Sequence, residues 1–172
     1  YGLINNLGAG YNDYIELSPT APPNKLLAIH TASNPSYREN LDPRIKAGFA
    51  IAPWGMTEGI WREEDLAGIQ TPTFYLAGDA DDISGYENGV RAIYNAAVNS
   101  QRYLLTYKNA GHNAGAPYPA PREILTSETG EGADHYTDPV WDNVRMNNIM
   151  NHFATAYFSY HLKKDDSMLM FL

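Results

Sequence analysis

Five histidines, twenty acidic side chains and no cysteine set the chemistry open to this chain. Without thiols there is no thiolate nucleophile, no disulfide and no cysteine-based zinc site. What remains is acid–base work by histidine and carboxylate, and a neutral imidazole is the natural base near pH 7. One histidine has suitable company. His112 closes the turn Ala110-Gly111-His112, and an earlier turn, Gly78-Asp79-Ala80-Asp81-Asp82, carries three carboxylates. The stretch between them is long enough for one helix and one strand. A carboxylate that accepts one ring N–H fixes the tautomer and steadies the imidazolium, leaving the other nitrogen to take a proton from a nucleophile. Only one of the three carboxylates can face the ring.

Other constellations fall away. His30, His135, His152 and His161 have no metal-ligand spacing, and His152 and His161 fall on opposite faces of one helix. The three aspartates lack the glycine and the distal glutamate of a calcium loop. Gly8-Ala9-Gly10 is too short for a dinucleotide fingerprint and follows no strand. Neither a metal nor an organic cofactor is implied.

The elements that would carry Asp81 and His112 read as strand–helix–strand. Ile45–Pro53 is an apolar strand, the kind that expects helix layers on both faces and a neighbour on each side. Trp61–Ile69 has helical character. Pro72 suits a strand start, and Thr73–Ala77 is the second strand. Ser84 with Glu87 fits a capping box that opens a helix to about Asn99, with Val90, Ile93, Tyr94, Ala97 and Val98 facing inward. Asp79 is expected to cap the turn before it, and Asp82 to help cap the helix. Arg102–Tyr107 is the third strand. Such a unit lays its strands parallel, with Asp81 and His112 just past their C-terminal ends, where open α/β sheets build their sites.

Around this core, residues 1–10 have helix-like spacing and 11–45 is loop-rich, with a short helix or turn at Lys25–His30. The glycine- and proline-rich stretch 113–137 reads as loop. Asp138-Pro139 looks like an N-cap and first helical residue, opening a helix to Lys163 with Val140, Val144, Ile149, Phe153, Tyr157 and Tyr160 inward. The class is α/β, in a single domain over 1–172.

Composition narrows the partners. The 172 residues are 44% hydrophobic and 19% charged, as in ordinary globular proteins. The net charge of −8 comes with no basic run, against a nucleic-acid partner. No apolar run approaches the roughly 20 residues of a membrane span. Tyr1 rather than Met stands first, so the compartment stays open, with secretion or a periplasmic location included.

The order of features from Lys46 to Leu172 resembles the C-terminal half of an α/β-hydrolase, most nearly the dienelactone hydrolase-like serine esterases. In that family the last three strands are followed in turn by a substrate-facing loop, the triad aspartate and the triad histidine. Those places are held here by Pro53-Trp54-Gly55-Met56, by Gly78-Asp79-Ala80-Asp81 and by Ala110-Gly111-His112. The acid stands three residues after the strand-ending glycine, which selects Asp81.

The resemblance implies a serine hydrolase of small-molecule carboxylic esters or lactones working through an acyl-enzyme. Asp81 and His112 would be catalytic, Trp54 and Met56 would wall the substrate pocket, and no cofactor is needed. YGLINNLGAG resembles the segment after the family's G-x-S-x-G nucleophile elbow, and no serine of the chain has the two flanking glycines of that motif. The serine and the N-terminal half of the fold are therefore expected upstream of Tyr1, and the apolar Phe171-Leu172 suggests further chain downstream. The alternative is a non-catalytic segment of the same fold acting as a binding module.

Overall fold

The structure, a computed structural model, describes residues 42–172 together with Pro23, Asn24, Leu26, Asn34 and Ser36. The expected opening helix lies outside the described residues, as do most of the loop from Tyr11 and most of the turn at Lys25–His30. Among the described residues three parallel strands form one sheet in the order β1 (Gly48–Ile51), β2 (Thr73–Gly78), β3 (Arg102–Tyr107). Gly48 lies opposite Thr73 and Thr73 opposite Arg102, which brings the C-terminal ends to one edge. Parallel neighbours require crossovers. The first carries α1 (Glu63–Leu66), and the second a π-helical turn, Tyr86–Val90, that runs into α2 (Arg91–Ala96). After β3 come α3 (Arg122–Leu125), a 3-10 turn Ala133–Tyr136, the long α4 (Asn143–Lys163) and a 3-10 turn Asp166–Phe171. The architecture is α/β, a three-stranded parallel sheet flanked by helices.

Alternation along the central strand divides the core in two. Tyr75 and Ala77 join Ile60, Leu66, Val90 and Ile93 on the face covered by α1 and α2. Leu76 joins Tyr107 of β3 and Met146 of α4 on the other face. Every residue of β2 is buried because both its faces and both its edges are covered. Contacts on α4 recur at helical spacing through Met146, Ile149, Phe153 and Tyr157. Phe49 stacks on Phe74 at 4.7 Å, and the fully buried Tyr157 meets Phe74 and Tyr103 edge-on at 5.6 and 5.7 Å. Aromatic pairs of this kind add about 0.5–1.5 kcal/mol each beyond their buried area.

Several expectations shift. β1 is shorter than Ile45–Pro53 and, among the described residues, pairs only with β2, so Ile51 stays 43% exposed. The helix expected from Ser84 is π-helical in its first turn and ends at Ala96, which leaves Val98 exposed. Gly89 accounts for the wide turn: a Cβ there would fall 2.0 Å from the Ser84 carbonyl oxygen, so only glycine fits beneath it. Ser84 and Glu87 form no capping box. Gly85 holds the N-cap position without a side-chain cap, and Glu87 pairs forward with Arg91 at 2.9 Å. The stretch 113–137 is interrupted by α3 and the 3-10 turn. The long helix begins at Asn143, where Asp142 accepts the Arg145 N–H at 2.8 Å, so Val140 and Val144 are exposed rather than inward. No helix among the described residues is long and apolar enough to cross a membrane.

His161 sits buried near the end of α4, with the rings of Tyr157 and Tyr160 each 4.7 Å away. Burial holds its pKa below the usual 6.5, and Lys164 adds to the effect. The unfolded chain therefore takes up this proton first as pH falls. The stability contribution is complete above about pH 6.5 and is lost progressively as pH drops through the depressed value. His161→Phe should flatten the decline of unfolding free energy between pH 7.5 and 5, read from urea denaturation at each pH. An unchanged slope would show that His161 is not its source.

Candidate functional site

The two turns that carry Asp81 and His112 are joined backbone to backbone. Asp79 donates its N–H to the Tyr107 carbonyl at 3.1 Å and Ala80 donates to the Ala110 carbonyl at 2.9 Å. Gly78, which ends β2, makes the close approach feasible, because a Cβ there would lie 2.1 Å from the Ala110 oxygen. That oxygen belongs to the backbone and cannot swing aside.

Asp81 is held by its own turn. Its Oδ1 accepts the N–H groups of Ile83 and Ser84 at 2.9 and 2.8 Å, which aims the buried carboxylate along the strand ends. Both carboxylate oxygens lie 3.1 Å from Nδ1 of His112. Carboxylate oxygens only accept, so Nδ1 carries a proton, and in the neutral ring the lone pair is then on Nε2. Nε2 makes no hydrogen bond among the described residues, and the ring is one-third exposed at 33%. A neutral imidazole held in this way has a fixed tautomer and can accept a proton on Nε2.

The neighbouring aspartates have other work. Asp79 pairs with Lys108 at 3.0 Å and accepts the Asn109 N–H. The Lys108 hydrogen bond, more than that from Asn109, holds its carboxyl below the ordinary range. Its role is thus to clip the two turns together rather than to cap one alone. Asp82 is exposed at the rim and makes no capping bond among the described residues. Asp81 instead accepts the N–H groups of the turn before the helix, and the helix itself has no side-chain cap.

Ser84, taken in the sequence as a cap, is fully buried and donates its hydroxyl to the Ala52 carbonyl beyond β1 at 2.8 Å. Its Oγ stands 3.5 Å from Nδ1 of His112 and offers the ring only lone pairs. Asp138 was also read as a helix cap. Its Oδ1 does accept the N–H groups of Val140 and Trp141, but its Oδ2 accepts the Gly111 N–H at 2.7 Å, one residue before His112. Both residue types signal caps, and no local pattern distinguishes a cap from a long-range tie.

A cleft of about 570 Å³ opens beside His112, between Ala80, Asp82 and Ile83 on one side and Asp134, His135 and Thr137 on the other. Its size is within the usual range for a small-molecule site. Trp54 and Met56 do not line it. Trp54 is 40% exposed and accepts the Trp61 indole N–H on its carbonyl at 2.9 Å, while Met56 packs against the core on the α1–α2 face. Among the described residues no group of three histidine, aspartate or glutamate side chains is arranged to hold a metal ion.

No protein-family model, curated protein or solved structure matches the chain.

In Asp81→Asn the amide has one acceptor oxygen where two are used, so either the backbone N–H pair or Nδ1 meets an NH₂ group. Loss of the charged acceptor should cost about 1.5–3 kcal/mol and move the His112 proton to Nε2. Imidazole ¹⁵N chemical shifts report the tautomer directly. A ring still protonated on Nδ1 in that variant would mean that another group fixes it.

Proposed function

We propose that this chain supplies the acid–base half of a serine hydrolase of carboxylic esters or lactones, in a fold of the α/β-hydrolase type resembling the dienelactone hydrolase-like esterases. One observation carries the proposal. Asp81 and His112 stand on adjacent turns past parallel strands, with Nδ1 on the carboxylate and Nε2 without a partner among the described residues. In an open parallel sheet that edge is where catalytic groups gather.

The chemistry then follows. Nε2 takes the proton of a serine hydroxyl as the oxygen attacks the ester carbonyl. Asp81 stabilises the imidazolium that results. As the tetrahedral intermediate collapses, Nε2–H gives the proton to the leaving alkoxide, and an acyl-enzyme remains. Water, deprotonated by the same nitrogen, attacks the acyl carbonyl and releases the acid and the serine. General base catalysis of this kind is worth about 10²–10⁴-fold. The nucleophilic serine would come from outside the described residues, among which Thr137 is the only hydroxyl residue lining the cleft.

A serine-directed fluorophosphonate applied to the intact natural protein tests this. The expected result is a single labelled serine flanked by glycines, with labelling lost in His112→Ala while circular dichroism is retained. Labelling that persists in that variant removes His112 from the mechanism. No labelled serine at all would leave the pair as part of a non-catalytic binding segment.

A further inference from the structure

We propose that Asp138 is a positioning residue for His112, its carboxylate fixing the outer side of the turn that carries the imidazole. The proposal rests on the acid–base role given to His112 above.

The inner side of that turn is secured by backbone. Ala110 accepts from Ala80 at 2.9 Å and donates to Tyr107 at 3.3 Å. The next amide, Gly111 N–H, has its acceptor in Asp138 Oδ2 at 2.7 Å, across a gap of 27 residues in sequence. Asp138 is itself immobilised. Its Oδ1 takes the N–H groups of Val140 and Trp141 at 2.9 and 2.8 Å, and its own N–H donates to Asn143 Oδ1 at 3.1 Å. The residue is only 9% exposed, and swinging the carboxylate away would leave three part-buried N–H groups without their acceptor. A second tie runs parallel, from Asn113 Nδ2 to the Asp134 carbonyl at 2.7 Å.

His112 thus sits between two bonded neighbours, Gly111 and Asn113, both anchored to the stretch that forms the far wall of the cleft. That wall is set in turn by the Trp141 indole N–H on the Lys108 carbonyl at 2.8 Å, and by the Tyr107 hydroxyl on the Met146 carbonyl at 2.7 Å. Releasing Gly111 frees the imidazole to pivot about Asp81. A misplacement of about 1 Å in a catalytic group can cost about 10²-fold in rate.

Asparagine preserves the shape of Asp138 but not its function. Three N–H groups approach it from two sides, and the amide has oxygen for only one side. A bare capping role predicts lost stability and nothing more. Asp142→Ala is the matched control: it removes the cap of α4 a few residues away, without touching the His112 turn.

The experiment is NMR on the intact protein. In the unsubstituted chain, Gly111 N–H should exchange slowly and show scalar coupling across the hydrogen bond to the Asp138 carboxylate carbon. In Asp138→Asn, Gly111 exchange should rise by about tenfold or more relative to the β2 amides, and the His112 Nδ1 proton resonance should broaden. Asp142→Ala should leave both within about twofold. Absence of the coupling in the unsubstituted chain, which needs no variant to fold, overturns the proposal. So does an equal effect of the two substitutions on His112. Where the serine labels with fluorophosphonate, Asp138→Asn should also lower kcat by about ten- to a hundredfold with KM little changed, and an unaltered kcat overturns the positioning role. Failure of labelling with the coupling and the Nδ1 effect intact would count against the hydrolase reading alone.

Discussion

The site depends on one close approach of two backbones. Gly78 ends β2 so near the Ala110 carbonyl that no side chain fits between them, and the amides of Asp79 and Ala80 bond across the gap. This contact turns two separate strand ends into a single platform. Everything polar at the site is referred to it. Asp81 bends back onto its own turn, and His112 extends from the other. The Asp79–Lys108 pair reinforces the contact from outside, but with its lysine in solvent it contributes little by itself.

The rest of the fold holds that platform level. Parallel strands are covered on both faces, by α1 and α2 on one side and α4 on the other, and the alternation of Tyr75, Leu76 and Ala77 distributes the core between them. The aromatic contacts of Phe49, Phe74, Tyr103 and Tyr157 set the height of α4 over the sheet. Because α4 starts just after the stretch that walls the cleft, its docking also determines where that wall stands.

Much of this was legible in the sequence, for identifiable reasons. β3 was bounded correctly at Arg102 and Tyr107 because an apolar run between turn residues is a local signal. The contact of Asp81 with His112 was expected because both follow the ends of neighbouring parallel strands, and the family resemblance singled out Asp81 among its neighbours. What escaped was non-local. Ser84 and Asp138 carry the composition of helix caps, and the partners that redirect them, Ala52 and Gly111, lie far away in sequence. The inward face assigned to Val140 and Val144 followed from starting α4 too early, at Asp138 instead of Asp142. The length of β1 was overestimated because apolar content alone does not show where pairing stops.

One bond gives the acid a wider connection than its neighbours suggest. The Ser84 hydroxyl reaches the carbonyl of Ala52, a residue with φ of +43° at the point where the chain leaves β1. Ser84 also belongs to the turn that folds onto the Asp81 carboxylate. That turn is therefore fastened to the ends of all three strands. Only two hydrogen bonds and one serine stand between the end of β1 and the Asp81 carboxylate, so the place of that carboxylate is tied to the pairing of β1 with β2 as well as to its own strand.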